Sequence, residues 1–178
     1  MAACLGGVTT LIASASARAS MARAVSLKAL TRSSQHIIVG TPVDAESRWE
    51  VLGGRERIVT YSRVVVSELV AGADPKQGEL LLRSLGGRVG QVGQIVHGEA
   101  ELAIRQPALL FIGQTEAPLL FVQAMSQGEY PLVEQKGVQY LKLSRRLLET
   151  DEHAQAATTR LRNQSLERAR SLISEAAR

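Results

Sequence analysis

Between residues 36 and 143 short apolar runs alternate with glycine, proline and aspartate, and most runs have the two-residue period of strands. Segment 36–43 is β-branched, with Pro42 marking an edge or a strand end. Segment 47–51 alternates polar and apolar and meets Gly53-Gly54, a hairpin signal. Segment 57–70 is the strongest strand pattern in the chain; its length predicts a bulge or bend near Ser62-Arg63. After a turn at Gly72-Ala73-Asp74-Pro75, further strands are expected at 79–85, 94–97, 100–104, 108–112, 119–122 and 137–143. Strands spaced this way, with no helix between them, predict a mainly β fold: a small antiparallel β-barrel or sandwich rather than a parallel α/β sheet. Ile58, Val64, Val66, Leu81, Leu109, Phe111, Leu120 and Val122 are the expected core.

Helical spacing appears only at the two ends. In segment 20–35, Met21, Ala24, Val25, Leu27, Ala29 and Leu30 form a partial apolar stripe that Ser33-Ser34 closes. In the tail, 144–178, Thr150 is placed to cap a helix beginning at Asp151-Glu152, with both acids suited to the helix dipole. Ala154, Ala157, Leu161, Ala169, Leu172 and Ile173 continue its stripe, with a break expected near Asn163-Gln164-Ser165. The stripe suits a helix packed on the barrel; a partner-binding helix and a disordered tail are the other readings.

The stretch ahead of the barrel changes the picture of compartment. Residues 1–43 contain Arg18, Arg23, Lys28 and Arg32 and no acid, and they open with an apolar run of small residues followed by Ala15-Ser16-Ala17 and Ala17-Arg18-Ala19. Such a run closed by small-x-small sites reads as an export signal over 1–19, so a secreted or periplasmic protein is expected. Two rival readings share this composition. An Arg- and Ser-rich, acid-poor opening also fits a mitochondrial transit peptide, and a start upstream would put Cys4 in a lipid-attachment context. The run is too short and too rich in Gly, Ala, Ser and Thr to span a bilayer. The chain then divides into an export signal (1–19), a short helix (20–35), a β-barrel domain (36–143) and a helical tail (144–178).

Charge narrows the partners. The chain carries a formal +4, but residues 44–143 hold 10 Lys/Arg against 12 Asp/Glu. Basicity therefore sits in the opening and the Arg-rich tail, and the body lacks the clustered positive surface that phosphate backbones require. No nucleic-acid partner is expected. Cys4 is the single cysteine, so the body has no thiol chemistry and no disulfide.

Three patterns could carry chemistry. His97, Glu99 and Glu101 share one face if 97–101 is extended, and one imidazole with two carboxylates suits a divalent metal, hence a metal-dependent hydrolase as an alternative function. The run Gly86-Gly87-Arg88-Val89-Gly90-Gln91-Val92-Gly93 looks like a phosphate cradle, but no helix pattern follows it, so a mobile hairpin or a bulged strand is expected; Arg88, Gly90 and Gly93 are candidate binding residues bordering a groove. Trp49, between Arg48 and Glu50, is either an exposed ligand platform or a core plug, and a lone tryptophan favours the plug.

The words Leu27-Lys28-Ala29-Leu30, Ile37-Ile38-Val39-Gly40-Thr41-Pro42-Val43, Ser47-Arg48-Trp49-Glu50, Val64-Val65-Val66-Ser67-Glu68-Leu69-Val70-Ala71-Gly72 and Gly86-Gly87-Arg88-Val89-Gly90 resemble small secreted bacterial domains of unknown function. The body is also similar to the OB-like barrel of netrin and tissue-inhibitor modules. Those modules depend on cysteines absent here, so neither inhibition nor any site residue carries over. The leading reading of the whole chain is an exported, non-enzymatic binding or structural module of the cell envelope with a protein or envelope partner and no cofactor. An accessory subunit docking through its C-terminal helix is a further alternative.

Overall fold

The computed structural model describes residues 22–115, 119–151 and 153–178. The expected export signal, Cys4 and Met21 lie outside them. The chain runs α1 (Leu27–Ser33), β1 (His36–Leu52), β2 (Arg55–Gly72), β3 (Glu79–Leu85), β4 (Gly87–Val89), β5 (Val92–Gln94), β6 (Ala108–Gln114), β7 (Leu120–Val122), a 3-10 turn (Met125–Gly128), β8 (Glu129–Gln135), β9 (Val138–Leu141), α2 (Ala157–Leu161) and α3 (Leu166–Ala177). The fold is mainly β with short helices at both ends, as the strand pattern predicts.

Backbone ladders run in a ring. β1 pairs β2 and β2 pairs β3; β3 meets β7 in parallel at Leu82 and Leu120; β7 pairs β6, and β6 returns to β1 over His36–Gly40. β8 lies beyond β7 along the same edge of β6 and carries β9 outside the ring.

β1 and β2 form one long hairpin closed at Gly53-Gly54, both with positive φ as a tight two-residue turn requires. Segments 36–43 and 47–51 are thus a single strand. Its register slips between Pro42 and Asp44, opposite Val64 and Arg63, so Val43 is the extra residue. The irregularity beside Arg63 thus belongs to β1, and the extra residues of β2 itself are Ser67 and Val70, further along than the Ser62-Arg63 expected. Pro42 sits inside β1 rather than at its end, next to a bulge, where a missing N–H is tolerated.

Two apolar layers follow from the alternation of β6. Ala108, Leu110 and Ile112 face the inside of the ring with Ile38, Val64, Leu80, Leu82 and Val122. Leu109 and Phe111 face outward, where Leu27 and Leu30 of α1, Tyr130 and the helix residues Leu161, Leu166, Ala169, Leu172 and Ile173 cover them. A strand buried on both faces reads as a continuous apolar run, which is what 108–112 is. The apolar stripe of α3 is used up on this layer, and Arg170 makes a two-pronged ion pair to Glu68 of β2 at 2.7 and 2.5 Å.

Local expectations changed where distant partners intervened. The first helix is shorter than 20–35: the Ala22, Ala24 and Val25 amides go to Glu149 O, Asp151 Oδ1 and Gln127 Oε1, and the Ser26 hydroxyl caps the helix at the Ala29 amide. Thr150 caps no helix; it bridges Ala22, and the tail helices begin at Ala157 and, capped by Ser165, at Leu166. The break near Asn163-Gln164-Ser165 is present, with Asn163 at φ 57°. No strand forms over 100–104. This stretch crosses the ring instead, placing Ala100 in the inner core while Arg105 N–H bonds Pro42 O. β8 was hidden in the sequence by Pro131. Leu81 is 55% exposed, because the pleat turns Leu80 and Leu82 inward. Val66 and Leu120 are half-buried beside the inner core, and the other expected core residues are buried.

Candidate functional site

The inner face of β1, β2 and β3 changes character along the strands. Val64 pairs with Leu80, then Ser62 lies between Ala45 and Leu82, and then Thr60 lies between Ser47 and Ser84. Apolar side chains give way to hydroxyls as the row leaves the core, and at that mouth a groove of about 370 Å³ opens. One wall is the β4–β5 hairpin with Arg88; the other is the crossing segment 99–102, with Arg146 beside it.

Hydroxyls staple the hairpin to the sheet. The Thr60 hydroxyl donates to Gly86 O (2.7 Å), so Ser47 Oγ, 2.8 Å away, donates to Thr60 Oγ1 and in turn accepts the Arg88 N–H (3.3 Å). Gln94 Oε1 accepts the Ile58 N–H and holds the returning strand (3.0 Å). Gly87 makes this closeness possible: it sits at φ 128°, and a Cβ there would overlap both Thr60 Oγ1 and Ser47 Oγ. Of the two structural readings of the glycine run, hairpin and bulged strand, the structure has the hairpin, turning at Gly90-Gln91 with Gly90 at φ 59°. Gly93 lies in β5 across from Arg88, whose guanidinium donates to Gly90 O (3.0 Å).

The structure brings two of the three proposed metal ligands to one groove and leaves the third out. Glu99 and Glu101 both line the crossing wall; His97 is exposed in a turn and does not line the groove. The extended geometry assumed for 97–101 is absent. Among the described residues no three His, Cys, Asp or Glu side chains are grouped to hold a metal.

The two carboxyls differ in state. Burial pushes Glu99 above the ordinary glutamate range, against the pull of hydrogen bonds from the Leu85 and Ala100 amides. Its neighbour Glu101 is held below that range by Arg146, whose Nε lies 2.5 Å from Oε2. One wall thus sets side by side two carboxyls whose surroundings push their pKa values apart. Glu99 also borders an apolar pocket of about 320 Å³ walled by Leu85, Leu120, Phe121 and Met125.

Trp49 is 45% exposed, so it is no core plug. It pairs with Ile58, one step beyond Ser47 and Thr60 on the same face, because residues two apart share a side of the strand. On the opposite face Glu50 gathers Tyr61 Oη (2.8 Å), Arg83 (2.6 Å) and Arg48 Nε (3.0 Å), and Arg48 stacks 4.2 Å from the centre of the Tyr61 ring.

Sequence reasoning missed Ser47, Thr60, Ser84 and Arg146. A signal existed for the hydroxyls: Thr60 and Ser62 stand at inward positions between Ile58 and Val64, where a core would continue as Val or Ile. Arg146 had none, being brought to Glu101 only by the fold. No protein-family model, curated protein or solved structure matches the chain.

Proposed function

We propose that the ring is an OB-type barrel and that the chain is a binding module, exported to the cell envelope, that holds a glycan strand across the mouth of its ring. The observation carrying this reading is the row of Ser47, Thr60 and Ser84 where the barrel interior meets solvent, walled by Glu99 and Glu101. Mouths of barrels are common ligand sites, and OB-type barrels take oligosaccharides and oligonucleotides on the β2–β3 side. The body's slight acidity disfavours phosphates. Sugars suit hydroxyl and carboxyl partners, and the exposed Trp49 ring offers a stacking face one residue pair further out.

Trp49 is the single tryptophan, so its fluorescence reports on the site directly. Titration with triacetylchitotriose or cellotetraose is expected to change that emission saturably, and Ser84→Phe, which fills the groove, to abolish the change. Flat titrations with both sugars up to millimolar concentration, or full retention of binding by a folded Ser84→Phe variant, refute the reading.

A further inference from the structure

On the other side of the crossing segment lies a second cavity, of about 390 Å³, that the glycan reading does not use. Its lining is mixed, with Pro42, Leu102, Ala108, Pro131 and Leu143 forming an apolar part beside the polar Glu129, Gln106 and Ser144. Its volume falls in the small-molecule class, about 300–1,000 Å³. Glu129, the first residue of β8, lines it while being only 4% exposed.

The bonding of Glu129 is incomplete. Oε2 accepts the Ser144 hydroxyl (2.7 Å) and the Glu101 amide (3.2 Å). Among the described residues no donor reaches Oε1, and no Lys, Arg or His lies within ion-pair distance. Its nearest charge is of the same sign, the Glu101 carboxylate. Two cations line the cavity without neutralising it: Lys142 Nζ is turned onto Asn163 Oδ1 (2.9 Å), and Arg145 is an exposed turn residue whose charge falls on Glu101. Gln106 commits its amide N–H groups to Leu132 O (2.6 Å) and Pro107 O (3.3 Å), leaving its oxygen as an acceptor at the cavity. A buried carboxyl either takes up a proton or finds a cation, and among the described residues none stands beside this one.

We propose that this cavity binds a primary alkylammonium, with the apolar walls enclosing the alkyl chain and Glu129 Oε1 receiving the ammonium. A lysine side chain presented by a peptide and a free aliphatic diamine share this chemistry. Segment 99–102 stands between this cavity and the glycan groove, and its Glu101 and Leu102 line both.

The test uses the full chain and two probes, Nα-acetyl-lysine methylamide and cadaverine, with Nα-acetyl-norleucine methylamide as the uncharged control. Glu129→Gln keeps an acceptor for Ser144 and Glu101 while removing the charge. Calorimetry is expected to show saturable binding of at least one amine, none of the control, and affinity at least about tenfold lower in Glu129→Gln. Binding of the lysine derivative alone assigns the site to peptides, and of cadaverine alone to free diamines. Should the variant fail to fold, the carbon-13 shift of the Glu129 carboxyl in the unaltered protein decides, because a bound ammonium must move it. Equal affinity in Glu129→Gln, binding of the norleucine control, or a Glu129 carboxyl indifferent to both amines overturns the proposal.

Discussion

Among the described residues Glu50, Glu99, Glu101 and Glu129 are shifted from the ordinary glutamate pKa, and their neighbours act in opposite directions. Burial raises Glu129 and Glu99 above the ordinary 4.5. The Tyr61 hydroxyl, then Arg48 and Arg83, lower Glu50, and Arg146 lowers Glu101. A raised group binds its proton more tightly when folded, so its contribution is complete below 4.5 and lost as pH climbs through the folded value. A lowered group contributes above 4.5 and loses that contribution as pH falls through its folded value. These four groups together place greatest stability near the ordinary glutamate pKa, with a decline on both sides. Urea unfolding of Glu129→Gln over that range is expected to flatten the alkaline limb and leave the acid limb unchanged; an unaltered alkaline limb contradicts the assignment. Residue identity alone showed none of this. Glu99 and Glu101 looked like an equivalent pair in the sequence, and it is burial for one and Arg146 for the other that separates them. Trp49 is the same lesson reversed: its type favoured the core, and its place on the β1–β2 hairpin beyond the inner core left it in solvent.

At the scale of elements, the β4–β5 hairpin is the most specified part of the groove. Turn residues, the staple through Ser47 and Thr60, and the absence of a side chain at Gly87 all act on it. Gly87→Ala combines an unfavourable φ with overlap of two hydroxyl oxygens, and a loss of about 2–4 kcal/mol is expected. Gly90→Ala has open space around it and meets only the backbone penalty, about 1–2 kcal/mol. Chemical denaturation of the two variants checks the ratio; equal losses mean that the staple does not constrain the hairpin. Turns such as Gly53-Gly54 and Gly90 were legible because their determinants are a few residues apart, whereas the Ser26 cap was not read. Strand 100–104 and the cap at Thr150 failed for the converse reason. Their backbone groups meet partners far along the chain, such as Pro42 for Arg105 and Ala22 for Thr150.

For the whole molecule, the two ends of the described chain hold each other. The segment 22–26 runs extended beside 149–157: Ala22 N–H bonds Glu149 O, Leu27 N–H bonds Gln155 O, and Ala157 N–H bonds Val25 O. Gln127, itself buried, clamps it by accepting the Val25 N–H (2.9 Å) and donating to Arg23 O (3.1 Å). A chain starting at Leu27 strands these groups and is expected to lose about 3 kcal/mol or more against one starting at Ser20, which keeps them all. Matching urea midpoints for the two forms rule out this role. Composition and periodicity by themselves determined that the chain is mainly β, that helices stand only at its ends, and where the β1–β2 hairpin turns, because the pleat and the turn are local properties of backbone and side chain. Ring closure, the double burial of β6, the hydroxyl-lined mouth and the cation-less Glu129 were decided by tertiary structure alone. Each depends on which distant segments meet, and hydrophobic burial, being non-directional, leaves that choice to the packing of the whole.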